Sequence, residues 1–458
     1  MNKKISVNLA LAIAIIAMTV TFSVTMILSQ NLFDKTVSSV REKEIMYTKI
    51  AEIDKMVRAD YYGEINNETL YDMMGAGYLQ GIGDTNAKYY TAKKYLDYLN
   101  DQSGKVQGIG VDVIKDANGY ARVIRVYADS PAAEAGLTKN SYLVKIGDTD
   151  VRTLTAEQIN ALLRGEAGTT VTITTIDANA QEQPALQIQR RQYDIPTVEA
   201  VLPEGKTVGY LKISTFNKNT AKELQTAIDN MKSSKQGVTS LVLDVRNNNG
   251  GSLNAAAEAI DVLCPAGPIV SVVKKDTTTT LLGTSNMQEI DLPMVVITNK
   301  NTAAGAELLA ESVREFGKGK TVGEITAGKG QYVSAPNPLT DGSAVSYTIG
   351  VLLTKDGKSF DKEGFTPDIE ASLKPEDEKN FYDLTIQTDT QILKAFEVAD
   401  LLTPKKEGNA NTLTATVNSV PTTSAAAPAS TSAAAPASTS AAAPASTSAA
   451  ASSTSTAS

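Results

Sequence analysis

Lys329 sits between Gly328 and Gly330, in a turn where a side-chain amine can approach a reacting group. An amine of this kind can take a proton from a hydroxyl nucleophile. The chain contains no histidine. Ser-His-Asp and Cys-His chemistry and His-ligated zinc are therefore excluded, while lysine-based proton transfer is not. Upstream, Met294, Val295, Val296 and Ile297 form an apolar run that predicts a buried strand. Residues 299–302 form a polar turn, and Leu308, Leu309, Val313 and Phe316 then recur at helical spacing. A strand–turn–helix unit aims the free N–H groups and positive dipole end of the helix at whatever occupies the turn. A nucleophile or an oxyanion is well placed there. A second candidate is Gly250-Gly251, just after the apolar strand 241–245, where bare backbone permits close approach. A tight strand-to-helix turn needs the same glycines without any chemistry, and a lone lysine among glycines can be simply solvated.

Together these residues resemble the catalytic segment of the C-terminal processing (tail-specific) serine peptidases, a Ser-Lys family carrying a PDZ domain. Glu307, Leu308 and Gly328-Lys329-Gly330 carry the likeness. The family places its serine three residues before the glutamate, which is Ala304 here. Lys329 stands at the family's distance from that position. The glutamine that orients the lysine amine comes four residues later, where this chain has Val333. The resemblance thus implies a nucleophile position at Ala304, a base position at Lys329 and an orienting position at Val333. It also implies an oxyanion hole from the backbone of Gly250, Gly251 and Gly305. The implied fold class is α/β (α+β multidomain): a ClpP/crotonase-like peptidase core with an inserted PDZ domain and a helical N-terminal region. Asp244, Arg246, Asn248 and the two glycines match the family's D-x-R-x-N-x-G-G loop. Gly364, Pro367 and Asp368 match its G-x-x-P-D turn.

The elements that must position these residues divide the chain. Residues 1–8 carry Lys3 and Lys4 and are expected on the cytoplasmic side. Residues 9–28 contain no charge, and about 20 residues at ~1.5 Å each match a ~30 Å hydrocarbon core. A signal anchor is expected in preference to a cleaved signal peptide, with the bulk of the chain extracytoplasmic. Residues 29–46 read as a linker and 47–104 as a helical region. Residues 105–191 resemble a PDZ domain, with Gly108, Ile109, Gly110 and Val111 as the loop that offers N–H groups to a peptide's terminal carboxylate. Residues 155–163 read as its groove helix and 168–173 as its last strand. The α/β core covers 192–403, with 343–354 as one strand. Residues 404–458 contain three copies of TSAAAPAS and read as a disordered tail.

The 43 basic and 51 acidic residues give a net charge of −8, which argues against a nucleic-acid partner. The one cysteine, Cys264, lies in an apolar pattern and reads as a buried small hydrophobe. No cofactor or metal is expected. The expected partners are polypeptide C-termini and, through the N-terminal helix, a membrane. In the family a neutral lysine takes the serine proton and an acyl-enzyme forms. Ala304 has no atom for that step, and losing the nucleophile costs on the order of 10⁶ in turnover. Gln331 lies two residues from Val333, ~7 Å along a strand, and Thr302 two residues before position 304. Three readings stay open: a pseudopeptidase that binds without cutting, an active enzyme carrying an engineered Ser-to-Ala change, and an active enzyme with a rewired site.

Overall fold

The computed structural model describes residues 7–177, 180–286 and 290–403, with the side chains of 7–15, 27–39 and 42 left out. The predictions for residues 1–6 and for the repeat tail fall outside the described residues. The first element, α1, is an α-helix over Val7–Asp60. Residues 29–46, predicted as a linker, continue this helix. The reason is local: no glycine or proline occurs between positions 7 and 60 to break it. Among the described residues no helix is long and apolar enough to cross a membrane. Much of the predicted span 9–28 lies outside that search, since the side chains of 9–15 and 27–28 are not described.

After α1 come α2 (Asn67–Gly81), β1 (Lys88–Tyr90) and α3 (Ala92–Gln102). The region predicted as wholly helical therefore contains a strand. Tyr89 and Tyr90 favour the extended backbone, and β1 finds an antiparallel partner far along the chain.

The middle of the chain opens with β2 (Lys105–Gly108), β3 (Val111–Lys115), β4 (Ala121–Val126) and α4 (Pro131–Glu134). It continues with β5 (Tyr142–Ile146), β6 (Thr149–Asp150), α5 (Ala156–Leu163), β7 (Thr170–Ile176) and β8 (Leu186–Gln189). Their sheet runs β3-β4-β5-β7-β8, with β6 paired to β5. The predicted last strand is thus followed by one more, because Leu186 and Ile188 supply another apolar alternation. Ile109, Val123, Leu143, Ile159 and Ile173 are buried together as one core. Thr155 caps α5 reciprocally with Gln158. The strand β9 (Arg191–Asp194) returns to pair with β2.

The remainder is a layered α/β core. It contains β10 (Val198–Val201), β11 (Val208–Ile213), α6 (Thr220–Ser233), β12 (Ser240–Asp244), α7 (Leu253–Leu263), β13 (Gly267–Lys274) and β14 (Thr279–Ser285). Then follow β15 (Met294–Thr298), α8 (Gly305–Glu315), β16 (Gly319–Gly323), β17 (Gln331–Val333), β18 (Asn337–Pro338), β19 (Ala344–Ser346) and β20 (Thr348–Thr354). Last come β21 (Ile369–Glu370), α9 (Pro375–Lys379) and α10 (Thr390–Leu402). The main sheet is β10-β11-β12-β15-β16-β21, parallel except at β10. Its central strands are apolar on both faces because both are covered. Leu241, Leu243, Met294 and Val296 pack with α6, α7 and α8, while Val242, Val295 and Ile297 pack with α10. Cys264 is buried in the first of these layers. A second sheet, β14-β13-β20-β17, carries Gln331 and Val333. The stretch 343–354 is two strands in different sheets, split at Tyr347, so that β19 can pair with β1.

Candidate functional site

The strand β15 and the helix α8 meet at a turn that holds Ala304 at φ 52°, ψ −114°. An L-residue occupies this region only when its surroundings over-determine it, at a cost of order 1–3 kcal/mol. The restraints are identifiable. The Ala303 N–H donates to the Asn248 carbonyl at 2.9 Å, and the Ala304 N–H donates to Glu307 Oε2 at 2.8 Å. Only half of a capping box forms, because a methyl group cannot accept the return bond. Replacing Ala304 by glycine should relieve the strain and stabilise the chain by about 1 kcal/mol net of glycine's added chain entropy. A chemical-denaturation midpoint that falls instead of rising would contradict that expectation.

Glu307 is the hub of the site. It is fully buried, and four donors converge on its carboxylate. Besides the Ala304 N–H, these are the Thr326 hydroxyl at 2.6 Å, the Gly328 N–H at 2.8 Å and the Lys329 N–H at 2.9 Å. One carboxylate therefore ties the turn at 304 to the Gly-Lys-Gly turn. A glutamate three residues into a helix is a capping signal in any sequence. Its second grip, on residues 326–329, has no local sequence signature, and its hub role was not anticipated.

Lys329 is brought to the site by its backbone, but its side chain is exposed and makes no hydrogen bond or ion pair among the described residues. The amine is therefore open to solvent. Among the described residues no hydroxyl bonds it. Thr302 is no substitute nucleophile: it is buried, donates to the Val245 carbonyl at 3.0 Å and accepts the Asn299 N–H at 2.9 Å. Val333 lies on β17 opposite Thr348. Gln331 is committed elsewhere, to Asn86, Thr348 and Asp361. Asn86 belongs to the turn that follows α2. In the same turn Asp84 accepts the Thr348 N–H at 2.7 Å and its hydroxyl at 3.0 Å. Burial pushes the Asp84 carboxyl up, but the Thr348 and Asn86 donors outweigh it and hold the group below the usual carboxylate range. The N-terminal region thereby pins the two strands beside the site.

The diglycine loop behaves unequally at its two residues. The Gly250 N–H, assigned to the oxyanion hole, instead donates to Asn248 Oδ1 at 2.8 Å. The N–H groups of Gly251 and Gly305 have no partner among the described residues. They are the donors free to meet an oxygen. Gly250 is required for another reason. Its φ is 97°, and a methyl there would sit 3.0 Å from the Ala304 methyl and 3.3 Å from the Gly305 nitrogen. The two loops are laced together by Asn247 and Asn299, whose side chains bond each other at 2.9 Å. Behind them Arg246 is buried between Asp244 at 2.6 Å and Asp389 at 2.8 Å, with the Phe381 ring 4.9 Å away. Burial alone would raise the Asp244 carboxyl, but Arg246 beside it, helped by the Tyr210 hydroxyl, holds it low.

The candidate peptide loop, Gly108 to Val111, lies at the far end of α5. The Ile109 N–H donates to the Leu163 carbonyl at 3.3 Å, and the Gly110 carbonyl accepts the Tyr127 N–H. This loop and the site around position 304 are thus built from separate parts of the chain.

Residues 207–371 match the model of peptidase family S41, and residues 122–176 match a PDZ domain model. The carboxy-terminal processing protease CtpA of Bacillus subtilis (strain 168) is 28% identical over 330 residues, 71% of this chain and 69% of that protein. A probable CtpA-like serine protease of Staphylococcus haemolyticus (strain JCSC1435) is 30% identical over 364 residues, 79% of this chain and 71% of that protein. Among solved structures, a putative S41 protease from Bacteroides fragilis NCTC 9343 superposes with a TM-score of 0.49 at 19% identity, covering 75% of this chain and 92% of that one.

Proposed function

The chain belongs to peptidase family S41, the C-terminal processing peptidases with a PDZ domain, and on that footing we propose that it binds protein C-termini without cutting them. The observation that carries this reading is the methyl group at position 304. It occupies the strained turn beside the free N–H groups of Gly251 and Gly305, where a nucleophilic oxygen would have to stand. Two further features support it. Among the described residues Lys329 reaches no hydroxyl, and Val333 offers no group to orient its amine. The PDZ domain retains an exposed strand edge and supplies the binding function. Anchoring at the cell membrane by a single N-terminal pass, with the bulk of the chain outside, belongs to the same proposal. It is supported by the uncharged stretch 9–28 and by the exposure of Ile16, Met18, Phe22 and Met26 on α1.

A second reading, an active enzyme inactivated by one Ser-to-Ala change, is favoured by the intact frame around position 304. Cleavage assays on a substrate with an apolar, unstructured C-terminus separate the two. The unmodified chain, Ala304→Ser and Ala304→Ser/Val333→Gln should all bind, and the unmodified chain should show no turnover. Turnover by the unmodified chain that is lost in Lys329→Ala would overturn the proposal. Turnover restored by Ala304→Ser alone would favour the second reading.

A further inference from the structure

One carboxylate oxygen on α8 is buried without a donor. Glu311 lies one turn beyond Glu307 on the same helix, and its side chain is 1% exposed. Its Oε1 accepts Arg314 Nη2 at 2.5 Å, but among the described residues nothing meets its Oε2. Glu315, one turn further, shows the contrast. Its side chain is also buried, yet it accepts the Thr354 hydroxyl at 2.8 Å on one oxygen and the Asp356 N–H at 3.2 Å on the other. A carboxylate enclosed with one oxygen unpartnered tolerates its negative charge poorly. The charges facing Glu311 are Arg314 and Glu315 from its own helix and Lys358 from the turn after β20. Burial pushes the Glu311 carboxyl up. Arg314 and Lys358 pull it back only in part, and Glu315 adds to the rise.

Arg314 links this group to the site. Its Nη1 donates to the Thr366 carbonyl at 3.1 Å, and its guanidinium lies 6.0 Å from the centre of the Phe365 ring. The segment 360–366 is laid directly on the Gly-Lys-Gly turn. The Lys362 N–H donates to the Gly328 carbonyl at 2.7 Å, the Phe365 N–H to Thr326 Oγ1 at 2.7 Å, and the Thr326 N–H to the Phe365 carbonyl at 3.2 Å. A methyl on Gly328 would lie 2.7 Å from the Lys362 carbonyl carbon, and one on Gly330 would lie 2.5 Å from the Asp361 nitrogen. The Thr326 hydroxyl donates onward to Glu307. A continuous set of contacts thus joins Glu311 to the carboxylate that holds position 304.

We infer that Glu311 is a proton switch for the segment 360–366: protonated, it lets the segment close on the Gly-Lys-Gly turn, and ionised, it favours an opened state in which the carboxylate reaches water. The step moves one proton between Glu311 and solvent and breaks no covalent bond. Its sign follows from linkage. Opening returns the carboxyl to its ordinary range, whereas closure holds it above that range. The closed state therefore keeps its full stability below the ordinary range and loses some of it as pH rises through the closed-state value. The Gly-Lys-Gly turn, Lys329 included, becomes more mobile on the alkaline side.

Amide hydrogen exchange of the full chain between about pH 4.5 and pH 7.5 tests the switch, with rates at 326–330 and 360–366 corrected for the intrinsic pH dependence of exchange. In the unmodified chain protection should fall with rising pH, by about 10-fold for each pKa unit by which the carboxyl is raised. Glu311→Gln cannot ionise, so the fall should be absent. Arg314→Gln lacks the cation that lowers the carboxyl, so the fall should extend to higher pH than in the unmodified chain. A flat profile in the unmodified chain, or a Glu311→Gln profile parallel to it, overturns the inference. Should Glu311→Gln fail to fold, Arg314→Gln decides alone, and a profile coinciding with that of the unmodified chain overturns the inference.

Discussion

Glu307→Ala should cost the folded chain about 4 kcal/mol, because it strips a buried acceptor from four converging donors. The donors are the Ala304, Gly328 and Lys329 amides and the Thr326 hydroxyl. The Thr326 and Gly328 donors are buried with the carboxylate, and α8 is buried throughout from Gly305 to Val313, so water cannot readily replace it. Glu307→Gln keeps the shape but points an amide donor at other donors, so it should recover only part of the loss. Urea unfolding monitored by circular dichroism measures both. A Glu307→Ala midpoint matching that of the unmodified chain would remove the hub from this account. The substitution also has a local consequence. The Gly-Lys-Gly turn is held to position 304 through this carboxylate, so amide exchange at residues 326–330 should accelerate even in the less damaging glutamine variant.

Arg246→Met should be comparably destructive, about 3–5 kcal/mol, because it leaves Asp244 and Asp389 buried without their cation. Its pH dependence gives a sharper check. In the unmodified chain the Asp244 carboxyl is held below its ordinary value of 3.8. That stabilisation is complete above pH 3.8 and is lost as pH falls through the lower folded value. Without Arg246, burial dominates and pushes the same carboxyl up. A raised carboxyl makes the folded state lose stability as pH rises. The unmodified chain should therefore weaken in acid, whereas the variant should be more stable near pH 4 than at neutral pH. Parallel pH profiles for the two proteins would refute this role for Arg246.

What the sequence disclosed and what it hid follow from the range of the forces involved. The turn between β15 and α8 was legible because an apolar run, a polar turn and a helical repeat are all local signals. The continuous apolar runs of β12 and β15 likewise announced strands covered on both faces. The strand β1 was hidden because its partner β19 lies more than 250 positions away, and three residues carry no period of their own. The end of the N-terminal helix was misjudged because polarity at 29–46 suggested a linker, whereas helices yield to glycine and proline rather than to polarity. At the site, residue types gave the positions but not the allegiances. The Gly250 amide bonded to Asn248 is an Asx turn that Asn-x-Gly could have signalled, but nothing local says that Gln331 is tied to Asn86.

The unfavourable backbone at Ala304 also bears on how readily an oxygen could be placed there. Every alanine codon becomes a serine codon by one base change, whereas valine to glutamine needs at least two. The awkward main-chain angle is already in place. A single base change therefore suffices to present an oxygen at that corner, whereas placing an amide at position 333 takes more.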